Sequence, residues 1–184
     1  MNLDKAEGIP GWMSTSELAW LAERASESSL IIEIGSWYGR SCRGMADNSD
    51  ALIYAVDVWD SSYYTPFVRE FVKGWIGDKP QEFLWETFNS NLFEHIESHR
   101  VIPVRETSVN AAKQFTDGTA DLVFIDADHE YESVRDDIAA WRSKVTAGGI
   151  LSGHDWHLEG VQKAVREAIG EPQNPAGSIW WKRV

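Results

Sequence analysis

The sequence has one cysteine, few basic side chains relative to acidic ones, and no long apolar run. Because Cys42 is the only cysteine in 184 residues, no intramolecular disulfide can form. The first residues lack the basic and then apolar layout of a signal peptide, and we therefore expect a cytoplasmic protein. No apolar run approaches the roughly 20 residues that cross a bilayer, so no membrane partner is expected.

Acidic side chains outnumber basic ones by 29 to 17, for a formal net charge of -12. Nucleic acids and anionic membranes bind basic surfaces, and this charge therefore argues against both as partners. A small neutral or cationic molecule fits the charge better. The apolar content of 43% and the chain length favour a single domain over residues 1–184, of which residues 1–13 are interpreted as an arm.

The segment IIEIGSWYGRS at residues 31–41 is the most informative stretch. Its β-branched run predicts a strand buried on both faces of a parallel sheet, and Gly35 and Gly39 follow at the end where α/β sheets bind ligands. A dinucleotide fingerprint needs a glycine where Trp37 stands, because the backbone must approach a pyrophosphate. A phosphate-binding P-loop needs a longer spacing and a lysine where Arg40 stands. The turn therefore fits neither motif.

Strand-like and helix-like segments alternate along the chain, which indicates an α/β fold with a mostly parallel, doubly wound sheet and helices on both faces. A capping box of Ser14 and Glu17 opens the first helix, which ends among Ser26, Ser28 and Ser29. Further helices are predicted at residues 41–46, 80–96, 107–118, 131–145 and 161–169. Further strands are predicted at residues 52–58, 101–104, 121–126, 150–152 and 178–183.

Residues 59–80 exceed the usual connection in a compact α/β unit and are predicted to form a helical insertion near the site. Thr65 and Pro66 are suited to open this helix. Its aromatic stripe favours core packing or a homodimer contact over a substrate lid. The stripe consists of Tyr64, Val68, Phe71 and Trp75.

Acidic and imidazole side chains are concentrated after the fourth and fifth predicted strands. Because parallel strands end at one edge of a sheet, we expect these side chains to converge, in an arrangement that suggests a divalent metal site. The alternative is that Asp126 and Asp155 cap helices and that His129 is an exposed loop residue. The residues concerned are Asp126, Asp128 and His129, and then His154, Asp155 and His157.

The spacing of Glu33, Gly35 and Gly39 resembles the first motif of class I S-adenosylmethionine-dependent methyltransferases. The resemblance extends over nearly the whole chain and implies their Rossmann-like fold. IIEIGSWYGRSCRGMA resembles the turn of catechol O-methyltransferase. FIDADHEYESVRDDIAAWRSKVTAGGILSGHDW resembles the macrocin O-methyltransferase and cephalosporin hydroxylase group.

The resemblance implies S-adenosyl-L-methionine as the cofactor. Glu33 and Asp57 would accept hydrogen bonds from its ammonium and ribose hydroxyl groups, and Ser108 or its neighbours would approach the adenine. For Asp57 the alternative is a strand-end acid that binds no ligand. The full implied cofactor-binding set is Glu33, Gly35, Ser36, Trp37, Gly39, Ser41, Asp57, Ser108 and Asp126.

The resemblance also implies methyl transfer to a hydroxyl group of a small molecule, such as a sugar or a phenol, with help from a divalent metal. Asp126, His154 and Asp155 would be the metal ligands. His129 would be the general base, and Asp126 would also be catalytic. An acidic ligand is usual where this chain has His154, which leaves Mn²⁺ or another transition ion open beside Mg²⁺.

Two further functions stay open at this point. Two histidines and a carboxylate among His129, His154, Asp155 and His157 could form the facial triad of a non-haem iron oxygenase, as in the hydroxylases of the similar group. The chain could also be a non-catalytic module that binds S-adenosylmethionine. No pattern in the sequence identifies the methyl acceptor.

Overall fold

The computed structural model describes residues 1–63, 70, 74 and 82–184. The strands are β1 (Leu30–Ile34), β2 (Leu52–Asp57), β3 (Val101–Arg105), β4 (Ala120–Ile125), β5 (Val145–Gly153) and β6 (Trp180–Arg183). The helices are α1 (Asp4–Gly8), α2 (Thr15–Ser26), α3 (Arg40–Ala46), α4 (Phe83–Asn91), α5 (Phe93–Glu97), α6 (Ser108–Ala112), α7 (Tyr131–Trp141) and α8 (Glu159–Ile169).

The six strands form one sheet in the order β3-β2-β1-β4-β5-β6. The first five are parallel, and β6 pairs antiparallel with β5. This confirms the predicted Rossmann-like, doubly wound α/β fold. The chain order reverses between β1 and β4, and in such sheets ligands bind in the crevice beyond the carboxyl ends of the strands at this switch point.

Alternate residues of the central strands face two separate apolar cores. Ile31 and Leu122 pack with α2, α3 and α4 on one face, whereas Ile32 and Val123 pack with α6, α7 and α8 on the other. Both faces are therefore covered, as a parallel sheet requires. None of the helices in the described residues has the length and apolar character needed to cross a membrane.

The structure corrects several predicted boundaries. Predicted helix 80–96 is two helices, α4 and α5, which meet at Leu92, and predicted helix 107–118 ends at Ala112. Strand β5 begins at Val145 rather than at residue 150, because Gly148 and Gly149 form an irregularity within the strand instead of a stop after a helix. The predicted helix from Thr65, with its aromatic stripe, lies outside the described residues.

The predicted arm is packed against the body of the protein and contains helix α1. Ala6, Ile9 and Met13 are buried in the core. The guanidinium group of Arg40, at the start of α3, donates hydrogen bonds to the carbonyl groups of Ala6, Glu7, Ile9 and Met13. The residue that stands in place of a P-loop lysine therefore holds the arm in position.

Candidate active site

The site lies at the switch point, where the turn after β1 meets the end of β4. The N–H group of Gly35 donates to the carbonyl of Val56, 2.8 Å away, and the N–H group of Asp126 donates to the carbonyl of Ile34, 2.7 Å away. A Cβ atom on Gly35 would lie 2.1 Å from the carbonyl oxygen of Asp126, and φ is +87°. Only glycine fits this position, because the two backbones are in direct contact.

Two neighbouring cavities meet at this turn and share several of their lining residues. The first extends toward the ends of β2 and β3, and its lining includes four acids, Asp57, Glu106, Asp126 and Asp128. The second extends toward the arm and the end of β5. Both are lined by Trp12, Gly35, Trp37, Asp126, Ala127 and His129.

Asp57, which lines the first cavity, is held by two backbone N–H groups. Its Oδ2 atom accepts the N–H group of Trp37 at 2.8 Å, and its Oδ1 atom accepts that of Trp59 at 2.7 Å. Burial raises the pKa of Asp57, and these two N–H groups oppose the rise. Each oxygen has a further lone pair, so the carboxylate can also accept hydrogen bonds from a ligand.

Trp37 lines both cavities and has several aromatic and backbone contacts. Its ring stacks on Trp12 of the arm and on Tyr38, with centroid distances of 4.8 and 4.1 Å. Its carbonyl oxygen accepts a hydrogen bond from the indole of Trp59 at 2.8 Å. The arm therefore contributes an aromatic side chain to the site.

Asp126, His154 and Asp155 converge as expected. Their ligand atoms all lie within 4.8 Å of one another. The Nδ1 atom of His154 is 3.6 Å from Oδ1 of Asp126 and 3.4 Å from Oδ1 of Asp155. Two carboxylates and one imidazole nitrogen facing a common point are a donor set that fits a divalent ion.

The three side chains of this group shift one another's pKa values. Burial raises the pKa of Asp126 to about 7; the charge of His154 opposes the rise and that of Asp155 adds to it. Burial alone would lower the pKa of His154, but the surrounding carboxylates raise it to about 10. Burial alone would raise the pKa of Asp155, but contacts with His129 and His154 lower it below its ordinary value.

His129 lines both cavities, and its Nδ1 atom lies 3.4 Å from Oδ2 of Asp155. The contact with Asp155 raises the pKa of His129, and burial opposes the rise. The N-cap positions of α7 and α8 are Glu130 and Leu158, so neither Asp126 nor Asp155 is an N-cap residue, and His129 is half-buried. These positions contradict the capping alternative, whereas the functional roles of the three residues stay predictions.

Two neighbours of this group make contacts of their own. His157 is exposed, and its Nδ1 atom is 2.7 Å from the hydroxyl of Ser178 and 4.0 Å from Oδ1 of Asp155. Asp128 stabilises its own loop by accepting hydrogen bonds from the N–H group of His129 and the hydroxyl of Ser133. Among the described residues, the converging metal-ligand group contains one histidine, whereas a facial triad needs two.

Some predicted cofactor residues do not line either cavity. Glu33 is fully buried inside β1. Gly39 caps α3, and a Cβ atom there would lie 2.3 Å from Leu92, so this glycine is needed for packing against α4. Both residues lie outside the lining of these two cavities, and their roles as direct cofactor contacts stay predictions.

The other predicted residues are in or beside the cavities. Ser36 and Ser41 line the second cavity and are almost fully buried. Ser108 lines the first cavity, where its hydroxyl accepts a hydrogen bond from the indole of Trp141 at 2.8 Å.

Glu17 is the residue that the sequence interpretation missed. The predicted capping box is present: Oε2 of Glu17 is 2.7 Å from both the N–H group and the hydroxyl of Ser14. Its Oε1 atom is 3.0 Å from Nε2 of His154, a residue 137 positions away. No pattern in the sequence indicates this pair, because it depends on how α2 packs against the end of β5.

Comparisons with known proteins agree with this architecture. Residues 32–156 match the family described as "Methyltransferase domain". The chain is 24% identical over 178 residues to the uncharacterized protein y4gI of Sinorhizobium fredii, and the match covers 88% of this chain and 18% of that protein. The chain thus spans less than a fifth of the length of this curated relative.

Solved structures with the same fold include several O-methyltransferases. The O-methyltransferase NovP aligns with a TM-score of 0.63 at 16% identity, over 91% of this chain and 79% of that one. The calicheamicin methyltransferase CalS11 aligns with a TM-score of 0.63 at 18% identity, over 90% and 76%. A SAM-dependent O-methyltransferase from Thermotoga maritima aligns with a TM-score of 0.63 at 15% identity, over 92% and 56%. At these identities the likeness shows a shared fold.

Proposed function

The chain belongs to the methyltransferase-domain family, and from this premise we propose that it transfers the methyl group of S-adenosyl-L-methionine to a hydroxyl group of a small molecule. The observation that carries the proposal is the meeting of two cavities at Gly35, Asp126 and His129. A methyl donor in one cavity and an acceptor in the other would meet at this point. Holding two reactants in line is a large part of what such an enzyme contributes.

The first cavity suits the cofactor. Its acidic lining favours the positive charge of a sulfonium and an ammonium group. Asp57 presents carboxylate oxygens that can accept the two ribose hydroxyl groups, and Ser108 lies where the adenine would approach. Trp37 stands at the position where a dinucleotide-binding turn needs a glycine, so the turn does not suit a pyrophosphate.

The second cavity suits the acceptor. Asp126, His154 and Asp155 would hold a divalent ion, with His154 binding through Nδ1. When bound, the ion lowers the pKa of a hydroxyl group that it coordinates. His129 would accept the hydroxyl proton, and Asp155 beside it would stabilise the resulting imidazolium. The acceptor oxygen would then bond to the methyl carbon as the carbon–sulfur bond breaks, with the electron pair of that bond remaining on the sulfur of the departing S-adenosylhomocysteine.

Calorimetric titration with S-adenosylhomocysteine tests the cofactor assignment. We expect Asp57→Asn to weaken binding by roughly tenfold to a hundredfold, because a hydrogen bond to a charged group contributes about 1.5–3 kcal/mol. Asp50→Asn is the matched control, since Asp50 is exposed just before β2. Absence of binding to the wild-type protein at millimolar ligand would refute the proposal.

The general base is tested separately with a panel of sugars and phenols as acceptors. His129→Ala should lower the rate of methyl transfer roughly a hundredfold or more while S-adenosylhomocysteine still binds. An unchanged rate would favour the non-catalytic binding module. Oxygen consumption in the presence of Fe²⁺ would favour the oxygenase.

A further inference from the structure

Glu17 connects three separate parts of the chain through one buried carboxylate. It lies in the first turn of α2 and is 4% exposed. Its Oε2 atom closes the capping box with Ser14. Its Oε1 atom accepts the N–H group of Ser178 at 2.6 Å and lies 3.0 Å from Nε2 of His154. The capping box needs one carboxylate oxygen, so the second is available for the site.

The surroundings of Glu17 hold its carboxylate in place. The N–H groups of Ser178 and Ser14 donate to Oε1 and Oε2, at 2.6 and 2.7 Å. A Cβ atom on Gly177 would lie 2.2 Å from Oε1 of Glu17. The absence of a side chain at Gly177, just before β6, therefore leaves room for the carboxylate.

The position of the Glu17 carboxylate determines which ring nitrogen of His154 faces the two aspartates. Because Oε1 of Glu17 is an acceptor, Nε2 of His154 must carry a hydrogen atom to bond with it. The opposite ring nitrogen, Nδ1, then faces Asp126 and Asp155. The backbone of His154 is also held, by the carbonyl of Ile125 and by the indole of Trp180.

We propose that Glu17 is a positioning residue, which holds His154 so that Nδ1 is a metal ligand and thereby makes the group a mixed nitrogen and oxygen site that favours Mn²⁺ over Mg²⁺. Histidine ligands in proteins are oriented in this way by a carboxylate on the other ring nitrogen. An imidazole ligand suits transition ions, whereas Mg²⁺ prefers oxygen. The inference rests on the part of the proposed function in which Asp126, His154 and Asp155 hold an ion.

The test measures metal affinity directly, without reference to activity. Mn²⁺ binding is followed by electron paramagnetic resonance of the free ion, and Mg²⁺ binding by competition. We expect Glu17→Gln to weaken Mn²⁺ binding by about 10–100-fold, the usual effect of losing such a partner. The loss for Mg²⁺ should be smaller, because its binding depends mainly on the two aspartates.

Two controls separate positioning from folding. Glu23→Gln makes the same change at an exposed position of α2 and should leave Mn²⁺ affinity unchanged. Ser14→Ala removes the serine hydroxyl from the capping box while the N–H groups of Ser14 and Ser178 still hold Glu17. It should lower the melting temperature with little effect on Mn²⁺ affinity.

Nitrogen NMR of the wild-type protein gives a second readout that does not require a variant. With Zn²⁺ as a diamagnetic probe, His154 should keep its proton on Nε2 and show a metal-dependent shift at Nδ1. A proton on Nδ1 in the metal-bound protein, or equal Mn²⁺ affinities of wild type and Glu17→Gln, would overturn the inference. Failure of the wild type to bind Mn²⁺ would overturn it too, while leaving cofactor binding and methyl transfer to be judged by their own experiments.

Discussion

Replacing Glu33 with glutamine tests how strongly the fold suppresses the charge of a buried acid. Glu33 lies in the middle strand β1 and is fully buried. Neither of its carboxylate oxygens has a hydrogen-bond partner of standard geometry. Burial raises its pKa from 4.5 to about 7, against the opposing effect of the nearby hydroxyls of Ser36 and Ser41. The folded protein therefore holds this proton at a pH where the unfolded chain has released it.

The sign and size of the effect follow from this difference. Below pH 4.5 Glu33 makes its full contribution to the free energy of unfolding, because the folded and unfolded states both bind its proton. This contribution is lost as the pH rises to about 7, because in that range only the folded state still binds the proton. A tenfold change in proton affinity corresponds to about 1.4 kcal/mol. The free energy of unfolding of the wild-type protein should therefore decrease by about 3 kcal/mol over this pH range because of Glu33. The Glu33→Gln variant has no proton to release at this position.

Urea denaturation followed by tryptophan fluorescence at several pH values measures this difference. The stability of Glu33→Gln minus that of the wild type should increase by about 3 kcal/mol between pH 4.5 and pH 8. Most other titrating groups are common to both proteins and cancel. Glu97→Gln makes the same substitution at an exposed position and is the matched control. A difference for Glu33→Gln that stays constant, or that decreases as the pH rises, would refute the reasoning.

Two further predictions concern the turn and the arm. Gly35→Ala should destabilise the protein by more than about 2 kcal/mol in urea denaturation, because its Cβ atom would overlap the carbonyl of Asp126 at a positive φ. Gly8→Ala is the control and should not destabilise the protein in this way, because a Cβ atom on Gly8 meets nothing within 4 Å. Arg40→Ala should speed proteolytic cleavage within residues 1–13 several-fold, because it removes the hydrogen bonds that hold the arm. Arg166 is exposed and paired with Glu171, and Arg166→Ala should leave the cleavage rate unchanged. Equal cleavage rates for the two arginine variants would contradict the role of Arg40.

The elements of the fold were predictable from local patterns. The β-branched runs of β1 and β4 and the helical spacing in α7 and α8 reflect which faces are buried, and burial patterns repeat along the sequence with the period of the element. The start of β5 was not predictable in this way. It depends on pairing with β4, where a Cβ atom on Gly149 would lie 2.9 Å from the carbonyl of Asp121.

For the site, the sequence by itself determined the residues at the strand ends, because parallel strands end at one edge and bring Asp126, His154 and Asp155 together. Only the tertiary structure decided what surrounds them. Glu17 reaches His154 through the packing of α2, and Arg40 holds the arm through carbonyl groups more than 25 residues away in sequence. Such contacts join segments that are distant in the chain, so they have no period and leave no local pattern. The burial of Glu33 likewise results from helices that cover β1 from both sides.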